Sequence, residues 1–158
     1  MNVTAWRIVK RKFRKAAFTG EGARRYGGRW NSKGVAVVYA AESQSLAALE
    51  MLAHLDSTEV LSYYVAIPVS FDSRLIVDVD VPSLPKNWKS YPAPQSVRAI
   101  GDAWVASGES AVLRVPSVLV PSESNFLLNP NHTEYADLVI GEPLPFIFDP
   151  RVFRRTLK

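Results

Sequence analysis

The most informative stretch of this chain is Gly27-Gly28-Arg29-Trp30-Asn31, where two consecutive glycines lead into an arginine, an aromatic residue and an amide. Because glycine has no Cβ, the backbone there can turn tightly or come close to a ligand. An arginine held on such a turn offers a planar fork of N–H donors that suits a phosphate or a carboxylate. The pentad therefore predicts an anion-binding turn, although the same residues also fit an ordinary loop with a solvated arginine and a core tryptophan.

Charge is distributed unevenly on the two sides of this pentad. Residues 1–33 contain ten Lys and Arg residues against one acid, Glu21, which gives that segment a charge of +9. The remaining residues carry nine basic and fourteen acidic side chains, a charge of −5. This asymmetry indicates an anionic partner near the N-terminal segment, either a nucleic acid, a phosphate-bearing small molecule or an acidic protein. Residues 10–15 taken alone fit a solvated basic face equally well.

Size and composition predict one globular domain over residues 1–158. Hydrophobic residues make up 47% of the chain and charged residues 22%, which is ordinary for a folded domain and argues against disorder. The sequence has no cysteine, which excludes disulfides and thiolate metal sites and indicates a reducing compartment. Its two histidines, His54 and His132, support a metal site poorly, so we expect none. No apolar run reaches membrane-spanning length, and we expect a cytoplasmic protein with no membrane contact.

Short β-type runs alternate with two helical patterns along the chain. Strands are predicted over residues 4–9, 34–41, 61–68, 74–79 and 110–115. One helix is predicted to begin at Ser43 as N-cap and to continue through residues 46–55, and a second covers residues 96–105 with Gly108 as C-cap. The rest is predicted as a long basic loop over residues 10–30, a rigid proline-rich connection over 80–95, an amide-rich loop over 125–132 and a basic C-terminal tail over 151–158 that frays.

Three further side chains could carry chemistry. Tyr39 lies near the end of a predicted strand. It could be a core residue, or it could form the aromatic wall of a pocket. Glu50 lies beside the apolar arc of the first helix, where its carboxylate is directed towards whatever that helix packs on. Ser117 follows a Val-Pro pair at a strand edge, where most serines are turn residues.

Taken in order, an arginine after Gly-Gly, a strand-end tyrosine, a helical glutamate and a serine after Val-Pro resemble the RES domain family. That family is named for its conserved arginine, glutamate and serine. The resemblance covers nearly the whole chain, and its strength comes from several short pieces in family order. The matching pieces are Gly28-Arg29-Trp30-Asn31, Val38-Tyr39-Ala40, Ala48-Leu49-Glu50, Arg114-Val115-Pro116-Ser117, Asn125-Phe126-Leu127-Leu128-Asn129-Pro130-Asn131-His132 and Phe148-Asp149-Pro150-Arg151.

The resemblance implies a fold, an activity and a partner. RES proteins have an α+β fold similar to ADP-ribosyltransferases, with a split, twisted β core flanked by helices. They are typically toxins of bacterial type II toxin–antitoxin pairs, and an Xre-like antitoxin blocks the active site. Their activities consume NAD+ as substrate by hydrolysis or phosphorolysis of the nicotinamide–ribose bond, or by ADP-ribosyl transfer to a protein.

The resemblance also implies the site residues. Arg29, Glu50 and Ser117 are the implied catalytic residues, and Arg29, Tyr39, Asn31 and Ser117 are the implied NAD+-binding residues. The arginine suits the pyrophosphate, and the carboxylate suits the cationic, oxocarbenium-like sugar that forms when nicotinamide leaves. Tyr39 would stack on the nicotinamide or form the pocket wall, and Ser117 would bond the carboxamide or orient Glu50. The remaining candidates for ribose or loop-supporting contacts, besides Asn31, are Asn125 and Asn129.

Two other classes of function remain open at the level of the sequence. The basic N-terminal segment also fits a nucleic-acid-binding or RNA-cleaving toxin, although no binding motif is recognisable and histidines for nuclease chemistry are few. A third class is an inactive interaction module that binds the product of a neighbouring gene.

Overall fold

Eight strands form one mixed β-sheet in the computed structural model, which describes residues 1–56, 59 and 62–152. The strand order is β4-β5-β6-β2-β1-β3-β7, and β8 also pairs with β3. Only β4 and β5 run parallel to each other, and the other pairs are antiparallel. The strands are β1 (Asn2–Lys10), β2 (Val38–Ala41), β3 (Tyr64–Asp72), β4 (Ile76–Asp78), β5 (Val112–Pro116), β6 (Ser124–Leu128), β7 (Val139–Ile140) and β8 (Leu144–Phe146).

Three α-helices are present in the described part of the chain, α1 (Glu21–Tyr26), α2 (Gln44–Leu52) and α3 (Gln95–Ser107). Ser43 caps α2 as predicted, because its hydroxyl accepts a hydrogen bond from the Leu46 amide at 3.0 Å. Gly108 ends α3 as predicted, in the left-handed conformation with φ of +63°. Short 3-10 helices cover Arg11–Ala16, Ser73–Leu75, Val81–Ser83 and Thr133–Asp137. No helix among the described residues is long and apolar enough to cross a membrane.

The sheet is split between β1 and β2. Strand β1 pairs with β3 along its whole length, from Asn2 opposite Asp72 to Lys10 opposite Tyr64. It meets β2 at one pair, Trp6 opposite Ala41. We call this narrow contact the seam. The α+β class with a split β core, expected from the resemblance, is therefore confirmed.

Arg7 of β1 lies at the seam, and its side chain bonds one carbonyl of β2 and one carbonyl of the segment after β1. Its Nη1 donates to the Tyr39 carbonyl at 3.0 Å, and its Nε donates to the Ala17 carbonyl at 2.7 Å. A buried carbonyl without a partner is costly, so these bonds stabilise the diverging strands. The seam is thus bridged by a side chain where the backbones separate.

The prediction of a continuous loop over residues 10–30 is wrong. The segment contains the 3-10 helix Arg11–Ala16 and helix α1. Gly20 and Gly27, both with positive φ, bound α1, and Glu21 and Arg24 form a two-point ion pair one turn apart. Glycines at such positions end helices, and a helix of six residues is too short to show an apolar period in the sequence.

The prediction of a loop over residues 125–132 is wrong in its first half. Residues 124–128 form β6, which is paired on both sides, with β2 and with β5. The asparagine at 125 pairs through its backbone with Ala41 and Val115, so its side-chain amide is not needed for the sheet and bonds Glu50 instead. Smaller boundary differences occur elsewhere: β2 begins at Val38, β4 begins at Ile76, and most of the predicted tail (residues 153–158) lies outside the described residues.

Helix α3 packs over the half of the sheet that contains β2, β5 and β6. Its buried Val97 and Trp104 contact a cluster that includes Trp30 and Leu127. Gly101 of α3 lies against the Trp30 backbone so closely that a Cβ there would be 1.7 Å from the Trp30 carbonyl oxygen. The helix therefore fixes the position of Trp30, and with it the turn at residues 27–31.

Candidate active site

A cavity of about 950 Å³ opens at the seam. Its walls come from β1, β2, α1, the loop after α1, α2, Asn125 of β6, and the residues that precede and begin α3. Five charged side chains line it, and four of them are cations. These are Arg7, Arg29, Lys33, Arg98 and the single anion Glu50. Such a balance suits an anionic ligand that carries a positive centre near one carboxylate.

Glu50 is held by two donors on the same oxygen. Its Oε1 accepts from Ser117 Oγ at 2.7 Å and from Asn125 Nδ2 at 2.8 Å. The Ser117 hydroxyl itself accepts from the amides of Leu119 and Val120, both at 3.1 Å, so its own proton is directed to Glu50. Oε2 of Glu50 has no hydrogen bond to any described residue. The carboxylate is therefore oriented through one oxygen, and the other remains available to the cavity.

The loop of residues 27–31, the GGRWN loop, is closed by its own hydrogen bonds. The Gly28 amide donates to the Asn31 carbonyl at 3.0 Å, and the Tyr39 hydroxyl donates to Asn31 Oδ1 at 2.5 Å. That hydroxyl also accepts from the Trp30 amide at 3.1 Å. A Cβ on Gly28 would lie 2.6 Å from the Tyr39 hydroxyl oxygen. The backbone at Gly28 therefore approaches the protein's own Tyr39 phenol closely, and the approach to an anionic ligand stays a prediction.

Tyr39 lines the cavity, and its role as a wall for a planar ligand stays a prediction. Burial raises the pKa of its phenol, so the hydroxyl stays protonated near neutral pH and can donate to Asn31. Asn31 is fully buried, and its Nδ2 donates to the carbonyls of Ala23, Ser32 and Val35 at 2.9, 3.2 and 3.0 Å. These bonds favour the loop-supporting role of Asn31 over the ligand contact.

Arg29 lines the cavity and also contacts the segment that leads into α3. Its Nη1 donates to the carbonyls of Trp88 and Ser90, both at 3.0 Å. Its Nε and Nη2 have no hydrogen-bond partner in the part of the chain that the structure describes. Arg29 can therefore hold this segment and still present donors to an anion.

Sequence reasoning missed Arg7, a second guanidinium of the cavity. Burial lowers the pKa of Arg7 to about 10, which still leaves it protonated at neutral pH. It forms no ion pair within residues 1–56, 59 and 62–152, and its hydrogen bonds go to carbonyl oxygens. The available signal was an arginine between two large apolar residues of a predicted strand, Trp6 and Ile8. What could not be seen was that strand β2 separates from it.

The structure brings most of the predicted residues together. Arg29, Asn31, Tyr39 and Glu50 all line the cavity, whereas Ser117 is fully buried behind Glu50. Asn129, a looser candidate, is buried outside the lining, and its Oδ1 accepts from the Asn131 amide at 3.0 Å. His54, predicted as a surface residue, is exposed and also borders the cavity one turn beyond Glu50.

The family model of the RES domain matches residues 4–149. The chain belongs to the RES domain family. A protein called Toxin Res from Yersinia enterocolitica (serotype O:8, biotype 1B) is 43% identical over 148 residues, which are 93% of this chain and 97% of the relative. A protein called Prs ADP-ribosylating toxin from Sphingobium sp. (strain YBL2) is 38% identical over 160 residues, which are 98% of this chain and 99% of the relative.

The RES fold is also seen among solved structures. A chain in the crystal structure of the M. tuberculosis MbcT–MbcA toxin–antitoxin complex superposes with a TM-score of 0.76 at 19% identity. The superposition covers 98% of this chain and 88% of that one. At this level of identity the match establishes the fold, including the sheet that carries the cavity.

Proposed function

We propose that this RES domain is the toxin of a bacterial toxin–antitoxin pair and that it consumes NAD+ by cleaving the nicotinamide–ribose bond. Its relatives support the first part, because two of them are named as toxins and one of these as ADP-ribosylating. The observation that carries the second part is Glu50, held on one oxygen by Ser117 and Asn125 in a cavity whose other charged side chains are cations.

The proposed reaction needs stabilisation of positive charge on the sugar. The C–N bond to the ribose breaks, its electron pair leaves with the ring nitrogen, and neutral nicotinamide departs. The ribose then carries positive charge, as in glycoside cleavage, and the free oxygen of Glu50 faces that charge. No proton has to be supplied to the leaving group, so the cavity needs no general acid. Preorganised electrostatic contacts of this kind commonly contribute about 10²–10³ in rate.

The other charged residues suit the remaining parts of NAD+. Arg7 on β1 and Arg29 on the GGRWN loop both line the cavity, and their unbonded N–H groups fit the pyrophosphate. The ring of Tyr39 forms a wall against which the nicotinamide can pack. Asn31 supports this wall through the Tyr39 hydroxyl. The acceptor of the ADP-ribosyl group is water, phosphate or a protein side chain, and each acceptor leaves a different product.

A cognate antitoxin follows from the same proposal. An enzyme that consumes NAD+ would damage the cell that makes it, so the pair requires a protein that covers the cavity. We take an Xre-like antitoxin as this partner, in keeping with the family resemblance. The solved complex with the same fold is described as a toxin–antitoxin complex.

The test compares Glu50→Gln with the matched surface variant Glu109→Gln. Glu109 is exposed and lies outside the cavity. Purified protein is incubated with labelled NAD+, with and without phosphate and cell extract, and every product is identified. We expect Glu50→Gln to lose about 10²–10³ in rate and to stay folded, while Glu109→Gln keeps full activity. Full activity of Glu50→Gln, or a wild type that leaves NAD+ intact, would contradict the proposal.

The exposed basic side chains of residues 11–15 have no place in this mechanism. They lie on the 3-10 helix Arg11–Ala16, and none of them lines the cavity. They are the observation that favours the nucleic-acid alternative. That alternative predicts binding to RNA or DNA that weakens steeply with salt and is unchanged in Glu50→Gln.

A further inference from the structure

Two tyrosines line the cavity although their side chains are largely exposed. Tyr26, at the end of α1, is 78% exposed, and Tyr91, in the segment before α3, is 83% exposed. Neither ring contacts another aromatic ring of the described residues, in contrast to Trp30 and Trp88, whose centroids are 6.5 Å apart. Exposed aromatic faces at a cavity mouth are suited to a planar ligand, because the ring presents a flat apolar surface with a polar edge.

The backbone around Tyr91 is fixed on both sides. We call residues 80–94 the proline-rich segment. Arg29 donates to the Ser90 carbonyl at 3.0 Å, and Arg98 of α3 donates to the Ala93 carbonyl at 2.6 Å. Trp88 of the same segment also packs on Trp30. Tyr91 is therefore presented by an anchored backbone, so a ligand that stacks on it has little chain entropy to overcome.

Gln95 adds a directional donor beside the two tyrosines. It lines the cavity, and its Oε1 accepts from Arg98 Nη2 at 2.8 Å. This bond assigns the amide orientation and leaves the Gln95 NH₂ group without a partner among the described residues. An amide NH₂ complements a ring nitrogen that accepts, as purines offer on their edges.

These groups and Glu50 come from different elements that line the cavity. Tyr26, Tyr91 and Gln95 come from α1, the proline-rich segment and α3, whereas Glu50 and Asn125 come from α2 and β6. A cavity of about 950 Å³ between them has room for more than a nicotinamide and its ribose. A ligand with two ring systems could therefore place one near Glu50 and the other near the two tyrosines.

We propose that Tyr26 and Tyr91 form the binding site for the adenine base of NAD+, with Gln95 donating to a ring nitrogen. The proposal rests on the proposed function, since it assigns the second half of the same substrate. It also gives Arg29 a second task, because the arginine that faces the pyrophosphate holds the backbone that presents Tyr91.

The test separates the adenine site from catalysis. The variants are Tyr91→Ala, Tyr26→Ala and Tyr91→Phe, with Tyr63→Ala as control, because Tyr63 is 73% exposed and lies outside the cavity. Adenosine monophosphate binding is measured by calorimetry, and KM is measured for NAD+ and for nicotinamide mononucleotide, which lacks adenine. Loss of one base–aromatic stack weakens binding about tenfold or more. We expect each alanine variant to bind adenosine monophosphate about tenfold more weakly and to have a KM for NAD+ that is higher by a similar factor. The KM for nicotinamide mononucleotide should keep its wild-type value.

Tyr91→Phe should retain adenosine monophosphate binding, because the ring face and not the hydroxyl makes the stack. Equal adenosine monophosphate affinity in the wild type and both alanine variants would overturn the adenine site. Loss of antitoxin or target-protein binding alone, with nucleotide binding unchanged, would overturn it as well. Failure of the proposed function has a different result, namely intact NAD+ with the wild-type enzyme, whereas the calorimetric comparison needs no turnover.

Discussion

The two carboxylate oxygens of Glu50 have different surroundings. Ser117 and Asn125 both donate to Oε1, and Oε2 accepts from none of the described residues. Ser117 can act this way because two backbone amides occupy its acceptor positions. Under the proposed function, Ser117 and Asn125 would therefore position the carboxylate, and the oxygen that meets the substrate would belong to Glu50.

A double-mutant cycle tests this arrangement. Either donor alone still orients the carboxylate, so Ser117→Ala and Asn125→Ala should each lower kcat for NAD+ cleavage by about tenfold, the loss of about one hydrogen bond to a charged group. The double variant should lose more than the product of the two single losses, because the carboxylate is then free to rotate. Losses that multiply without coupling would show that the two donors act independently.

The hydrogen bonds of Tyr39 should contribute to the stability of the folded protein. Tyr39→Phe removes the donor to Asn31 and the acceptor for the Trp30 amide, so the free energy of unfolding should fall by about 1–3 kcal/mol at pH 8. Burial raises the pKa of Tyr39 in the folded protein, so its contribution is complete below the unfolded pKa near 10 and declines above it. The difference between wild type and variant in urea unfolding should therefore narrow above about pH 10. A difference that widens there would contradict the assignment.

Helix α3 and the GGRWN loop are in contact at a position where only glycine fits. Gly101→Ala would place its Cβ against the Trp30 carbonyl, which is backbone and cannot rotate away. We expect a loss of about 1–3 kcal/mol or more in the free energy of unfolding. NAD+ cleavage should also fall, because Trp30 adjoins Arg29.

Gly22→Ala is the matched control for this prediction. Gly22 also lies in a helix, and no atom is within 4 Å of the position its Cβ would take. Its replacement should leave the stability unchanged or raise it by up to about 1 kcal/mol through helix propensity. Equal effects of the two substitutions in thermal unfolding would mean that the close contact of α3 does not govern stability.

The sequence predicted those features that depend only on interactions between neighbouring residues. Ser43 and Gly108 were recognisable because a cap depends on its own few residues. Helix α1 and strand β6 were not, since six residues are too few for a helical period and an asparagine in a strand resembles a loop residue. Strand β6 forms because β2 and β5 both pair with it, and such partners are distant in the sequence.

At the scale of the whole molecule, two parts of one sheet are joined by a narrow seam. One part is β4-β5-β6-β2, and the other contains β1, β3, β7 and β8. The resemblance to the family identified residues that now lie at one cavity, among them Arg29, Tyr39 and Glu50. It did not reveal Arg7 as a cavity residue, because its position depends on where two strands separate.

Arg7→Met tests the seam. The substitution keeps an apolar stem but leaves the Ala17 and Tyr39 carbonyls without their donors, so the free energy of unfolding should fall by about 1–3 kcal/mol. Hydrogen exchange should quicken in β2 more than in β3, which is fully paired with β1. The control is Arg114→Met on β5, whose exposed ion pair with Asp78 should contribute less than about 1 kcal/mol. Uniform quickening across the sheet would contradict a weak seam.

Under the proposed function, a substrate that binds in the cavity at the seam would also stabilise the folded protein. A ligand that binds only the folded chain raises its stability, by about 2.7 kcal/mol when its free concentration is 100 times Kd. Under the proposed function, NAD+ would hold the two parts of the sheet together and would disappear as the enzyme works. Proteolysis follows the population of opened molecules, so an enzyme that has emptied the cell of NAD+ becomes easier to degrade. The open seam would then set a limit on how long the toxin persists after its substrate is gone.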